Sequence, residues 1–179
     1  TTSGKYNVDG LSVKLGNLTK NQGCKGNPNI TVMLSSTTNL DKFRVMIDTN
    51  NGTLSYYNGT VSPVVIATSD LLKYDTLSKE CFTLSFDVNT DGSVECWIKA
   101  GESGFVRGTV PKDFAEAISN FGNNPLYLAV GPGKAYADLS YYFSVDVLGI
   151  SDDKNTKPIA TQFNSLVSDT IAKTEDILY

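Results

Sequence analysis

Asp87 and Glu95 are the carboxylates whose spacing could support chemistry. If Thr90-Asp91-Gly92 forms a three-residue hairpin loop with Gly92 left-handed, the flanking strands pair Val88 with Val94, Phe86 with Cys96 and Leu84 with Ile98. A two-residue loop at Asp91-Gly92 would set Val88 against Glu95 and mix the faces, so burial selects the longer turn. The outward pairs are then Asp87 with Glu95, Ser85 with Trp97 and Thr83 with Lys99. Opposed residues on neighbouring strands can bring two carboxyl groups to about 5 Å, the separation that retaining glycosidases use. Like charges placed this way destabilise the pair unless something compensates, and Lys99 lies on the same face. No other group is assembled for catalysis. The chain has no His and no G-x-S-x-G, and Gly131-Pro132-Gly133-Lys134 lacks the spacing of a phosphate-binding loop. The expectation is therefore that the chain is not an enzyme.

The same hairpin suggests two other uses. Asp87 to Gly92 matches the first half of a calcium loop, D-x-N-x-D-G, with Glu95 at the ninth position. Position twelve is Ile98 and the flanks are strands, so a bulged hairpin turn explains the motif better; no cofactor is expected, and calcium on Asp87, Asp91 and Glu95 is a secondary reading. Trp97, the one tryptophan, falls on the polar side of its strand because Cys96 and Ile98 face inward. A flat indole framed by Asp87, Glu95 and Lys99 suits a sugar ring, the alternative being an indole buried under a covering loop. A second hairpin, tipped by Asn51-Gly52, pairs Thr49 with Leu54 and Ile47 with Tyr56 through a two-residue turn. That leaves Arg44, Met46, Asp48, Ser55 and Tyr57 outward, with Tyr57 a second stacking candidate beside Arg44 and Asp48. Tyr136, Tyr141 and Tyr142 are further loop aromatics.

These hairpins sit in a chain with period-two alternation from residue 8 to 151, bounded by Gly, Asn, Asp and Pro clusters. About ten short strands are too many for one open sheet and predict a two-sheet antiparallel sandwich, each strand with one wet face. Pro111, then Phe114, Ala117, Ile118 and Phe121, with Gly122 as the stop, predict one short helix. After Ser151, a polar stretch to Pro158 precedes Phe163, Leu166, Val167, Ile171 and Leu178 on one helical stripe. The division is a sandwich over 1–151 and a linker with a C-terminal helix over 152–179. That helix either packs back on the sandwich or mediates oligomerisation.

With 179 residues the chain has the length of about one domain, and its eight Phe, nine Tyr and one Trp against 19% charged residues exclude disorder by composition. A net charge of -4 with no basic run excludes nucleic acid as the expected partner, and the lack of a long apolar run excludes a membrane helix. The start at Thr1-Thr2-Ser3-Gly4 suggests a processed product. Asn-x-Ser/Thr acceptors at Asn17, Asn29, Asn51 and Asn58 suit a secreted, extracellular protein, although an Asn- and Thr-rich β chain produces such tripeptides by chance. Cys81 and Cys96 face opposite sides of adjacent strands and should not bond each other. Cys24 could reach either, or all three could be free thiols.

The opening strand Asp9 to Leu15, the late strand Leu126 to Gly131, and a final Phe143 to Ile150 able to return beside the first resemble the concanavalin A-like lectin/glucanase superfamily, which includes laminin-G-like domains and carbohydrate-binding modules. The resemblance implies a jelly roll whose concave face or edge loops bind glycans. The glucanase E-x-D-x-x-E motif and the legume-lectin metal loop are missing. The combined expectation is a non-catalytic carbohydrate-binding module, an accessory domain of a secreted protein recognising a glycan or plant-type polysaccharide, with Trp97 and Tyr57 as platforms and Arg44, Asp48, Asp87, Glu95 and Lys99 as polar frame. The alternative is an adhesin or a phage/virion receptor-binding head.

Overall fold

Alternating apolar residues become strands because only a pleated backbone places every second side chain on one side. The computed structural model describes residues 2, 4–21, 23, 26–35, 43–57, 62–113, 126–132 and 143–152. Its strands are β1 (Lys5–Tyr6), β2 (Leu11–Lys20), β3 (Asn29–Ser35), β4 (Phe43–Asp48), β5 (Thr53–Tyr57), β6 (Val64–Thr68), β7 (Phe82–Val88), β8 (Val94–Ala100), β9 (Phe105–Val110), β10 (Leu126–Pro132) and β11 (Phe143–Ser151). A single 3-10 turn at Asp70–Leu72 and a one-turn helix, α1 (Tyr74–Leu77), separate β6 from β7. The predicted helix after Pro111 starts as helix at Lys112 and Asp113, and its residues from 114 on lie outside the described residues, as does the C-terminal stripe.

Two antiparallel sheets result, in the orders β1-β10-β3-β4-β5-β6 and β11-β2-β7-β8-β9. The last strand does return beside the opening one, with Ile150 opposite Val13 and Ser151 opposite Ser12. One apolar core lies between the layers, drawing Ile30, Val32, Val45, Ile47 and Leu128 from the first sheet and Val13, Leu84, Phe86, Cys96 and Ile98 from the second. Asp152, expected to open a linker, is instead 3% exposed, and its Oδ2 accepts from the backbone N–H of Asn7 at 2.5 Å. That bond ties the end of β11 to the start of the chain.

The β7–β8 register is the predicted one throughout, from Thr83 opposite Lys99 to Val88 opposite Val94. Its loop is the three-residue one, closed by Asn89 N–H to the Ser93 carbonyl at 2.8 Å, with Gly92 at φ 92°. The β4–β5 hairpin keeps its predicted faces but slips by two residues. Ile47 pairs with Leu54, and Val45 with Tyr56. Asp48 is the reason: its Oδ1 accepts from the backbone N–H groups of Asn50 (2.9 Å) and Asn51 (3.1 Å), which opens the tip to four residues. Thr49 then turns inward and donates its hydroxyl to the Pro28 carbonyl at 2.6 Å.

A larger correction concerns the wet faces. β3 is buried along its whole length, and on the outer side of the six-stranded sheet Thr31, Met33, Ser35, Ser55 and Ala129 are all buried. That burial is centred on β3 and β5, while Arg44, Met46 and Asp48 of β4 stay half-buried and β6 is exposed or half-buried; the outer face of the five-stranded sheet alternates buried with half-buried or exposed residues along β7, β8 and β9.

Tyr6 gives this core an alkaline limit. Burial, and secondarily the Asp152 carboxylate, push its phenol from 10 up to about 12. The folded state then holds the proton more tightly than the unfolded chain. Its stabilising contribution is complete below pH 10 and is lost as pH rises through 12. Denaturant titrations across that window should show stability falling in the native protein and a shallower fall in Tyr6→Phe. Equal slopes would remove Tyr6 as the cause.

Candidate functional site

β8 carries Glu95, Trp97 and Lys99 on the outer face of the five-stranded sheet, flanked by β7 and β9. The register sets Glu95 between Asp87 and Thr109, Trp97 between Ser85 and Arg107, and Lys99 between Thr83 and Phe105. Alternation in β9 directs Phe105, Arg107 and Thr109 outward while Val106, Gly108 and Val110 face in. These β9 residues complete the site, and the sequence reading passed over them although the same period-two signal was present.

Glu95 is held asymmetrically. Its Oε1 accepts from the Thr109 hydroxyl at 2.9 Å and from the Asn89 amide at 3.3 Å. Its Oε2 is buried with no hydrogen-bond partner, and the nearest cation is Arg107, whose Nε lies 3.8 Å away. Charge compensation on Glu95 thus comes from Arg107 of β9, where Lys99 had been expected. The Arg107 guanidinium also lies over the Trp97 ring, 5.3 Å from its centroid, and Phe105 packs against that ring at 5.4 Å with a 42° tilt. The Trp97 indole N–H is buried and unpartnered. A buried donor and a buried acceptor left without partners cost about 1–3 kcal/mol each. Arg107 has 59% of its side chain exposed and covers both residues, so a swing of this one side chain would uncover them.

The remaining residues singled out by sequence are dispersed. Tyr57 is 8% exposed on the other sheet, its hydroxyl 3.4 Å from that of Thr31 and its ring beneath the Arg44 guanidinium at 5.5 Å. Asp48 is committed to its turn. Arg44, Asp48 and Tyr57 therefore lie on the opposite side of the sandwich from Trp97, Asp87, Glu95 and Lys99, and the seven cannot frame one ligand. Trp97 does face outward as predicted, half-buried, with Arg107 and Phe105 against its ring in place of an open platform.

The calcium reading meets a different obstacle, the prior engagement of Asp91. Asp91 Oδ1 accepts from the Ser93 backbone N–H at 2.9 Å and from its hydroxyl at 2.6 Å, contacts that hold its carboxyl below the usual range. Among the described residues no three acidic, Cys or His side chains are grouped to hold a metal. Of the sequons, Asn29 is 7% exposed and paired within β3, so a glycan there would disrupt the sheet. Asn51 is exposed, and Asn58 lies outside the described residues. Cys81 is an exposed free thiol and Cys96 a buried one, whose burial pushes the thiol well above its ordinary value. Neither forms a disulfide. Cys24, Tyr136, Tyr141 and Tyr142 lie outside the described residues.

No protein-family model matches the chain, and no curated relative does. The crystal structure of Scytalido-glutamic peptidase with a peptide-based transition-state analog is similar in fold, with a TM-score of 0.42 and 9% identity over 88% of this chain and 84% of that one. What stands of the resemblance drawn from sequence is the two-sheet antiparallel sandwich; membership of the concanavalin A-like superfamily gains no family match. The expectations of a non-catalytic carbohydrate-binding module or receptor-binding head, and of a chain that is not an enzyme, stand against this finding, since the structure found is that of a peptidase. The single sugar frame is corrected by the dispersal of its residues over two opposite faces.

Proposed function

We propose that this protein is a hydrolase in which Glu95, on the outer face of the five-stranded sheet, activates water for attack on an acyl carbon. The observation that carries the reading is the division of labour between the two oxygens of Glu95. One is fixed by Thr109 and Asn89, and the other is buried without a hydrogen-bond partner. A base needs this combination of fixed orientation and a free lone pair.

The neighbouring donors supply the complementary part. The Arg107 guanidinium and the Trp97 indole N–H are groups of the kind that stabilise an oxyanion as it develops. Acyl transfer fits better than glycoside cleavage. Glu95 meets the Thr109 hydroxyl, the Asn89 amide and the Arg107 guanidinium, a single carboxylate among donors, where glycosidases use a pair of carboxylates. Turnover of a mixed panel of esters and amides by the native protein and by Glu95→Gln tests this. Hydrolysis lost in the variant supports the assignment, and hydrolysis retained at the native rate overturns it.

A further inference from the structure

A second feature of the same sheet lies beyond the Glu95 site. It is a cleft of about 390 Å³ lined by Lys14, Glu80, Cys81, Thr83, Lys99 and Glu102. Its volume falls within the usual range for small-ligand sites, roughly 300–1,000 Å³. The sheet register builds one wall. Lys14 of β2 and Lys99 of β8 both pair with Thr83 of β7, so the two lysines flank it in one row with stems about 10 Å apart, two inter-strand spacings. Both are exposed, and among the described residues neither is in an ion pair, although Glu80 and Glu102 line the same cleft.

The opposite wall carries the other sign of charge. Glu80 and Glu102 line it, and Glu80 is held in place by its Oε1, which accepts from the Ser103 hydroxyl at 2.7 Å. The Glu80 and Glu102 carboxylates favour a cationic donor, and the lysine pair favours an anion. A uniform polyanion would gain from the lysines and be repelled by Glu80 and Glu102. A polycation would meet the reverse. A molecule carrying both charges satisfies both walls.

We propose that this cleft binds a small zwitterion of amino-acid or dipeptide size, its carboxylate between Lys14 and Lys99 and its ammonium or amide N–H beside the Glu80 and Glu102 carboxylates that line the cleft. The proposal stands apart from the hydrolase reading, because it needs neither Glu95 nor turnover.

Cys81, exposed in the cleft wall, provides the readout. In the full chain carrying Cys24→Ser, iodoacetamide should alkylate Cys81 and spare the buried Cys96. Glutamyl-lysine at about 10 mM should slow that reaction about tenfold, as expected for a Kd near 1 mM. Citrate and putrescine, which carry one sign of charge each, should leave the rate nearly unchanged. The Lys14→Gln/Lys99→Gln pair should abolish protection by the dipeptide. Lack of protection, equal protection by citrate, or protection that survives loss of both lysines would each overturn the proposal. If Cys24→Ser fails to fold, peptide mapping of alkylated native protein reports the same rate at Cys81.

Discussion

Glu95→Gln is expected to lower acyl hydrolysis by about 10²–10⁴-fold, the usual contribution of a positioned general base, with little change in thermal stability. The stability half of this expectation follows from the hydrogen bonds. Both donors to Glu95, the Thr109 hydroxyl and the Asn89 amide, address Oε1. The glutamine carbonyl can accept from them as the carboxylate does, so the side chain keeps its place on β8. The group lost is Oε2, and an amide nitrogen there cannot take a proton from water. Thr109→Val separates orientation from basicity: it removes the 2.9 Å bond but leaves the carboxylate, and should reduce turnover by less than Glu95→Gln does. Arg107→Ala adds a third comparison, because this side chain both covers the site and supplies its cation. Steady-state kinetics on the three variants, with melting curves alongside, give the ranking. Turnover unchanged in Glu95→Gln, with the fold intact, would mean the carboxylate is not the base.

Gly52→Ala should cost about 3 kcal/mol. Gly52 sits at φ 72°, a conformation that costs an L-residue about 1–2 kcal/mol. A Cβ there would also meet the Ser69 carbonyl oxygen at 2.5 Å and a carbon of Lys73 at 3.1 Å. The lysine carbon can move. The carbonyl cannot, because the same stretch is pinned by Ser69 N–H to the Gly52 carbonyl at 2.8 Å and by the Ser69 side chain capping the 3-10 turn at Leu71. Overpacking against backbone adds about 1–3 kcal/mol. Urea unfolding should therefore show a clearly lowered midpoint with an unchanged slope. A loss below about 0.5 kcal/mol, the usual range for a plain surface substitution, would show that the loop yields freely.

These two positions differ in how far the sequence disclosed them. Glu95 was recognisable as an outward carboxylate because hairpin chemistry is local: a loop of three residues with Gly92 left-handed admits one register, and that register fixes every pair from Thr83 to Val94. Its surroundings were read incompletely, because only Asp87, the opposing residue, was legible as its neighbour. The groups that hold it, Thr109 and Arg107, come from β9, and the placement of β9 against β8 depends on the rest of the sheet. Gly52 was recognised as a turn residue, but the contact with Ser69 that makes it demanding is tertiary. The β4–β5 slip has a similar origin, since Asp48 used its carboxylate to cap the loop, a local bond that the alternation pattern does not register.

Tyr57 shows the limit most clearly. Parity put it on the outer side of its strand, and the structure agrees, yet with the Arg44 guanidinium over its ring and Thr31 beside its hydroxyl Tyr57 is 8% exposed. Alternation tells which side of a sheet a residue faces; it carries no information about what lies over that side. The sequence alone determined the strands, the faces and the β7–β8 register, because each depends on period-two geometry or on a turn a few residues long. Only the tertiary structure decided that outward residues of β3 and β5 are buried, and that Glu95, Trp97 and Arg107 meet on the other sheet. Those outcomes depend on contacts between segments far apart in the chain, and no local pattern encodes them.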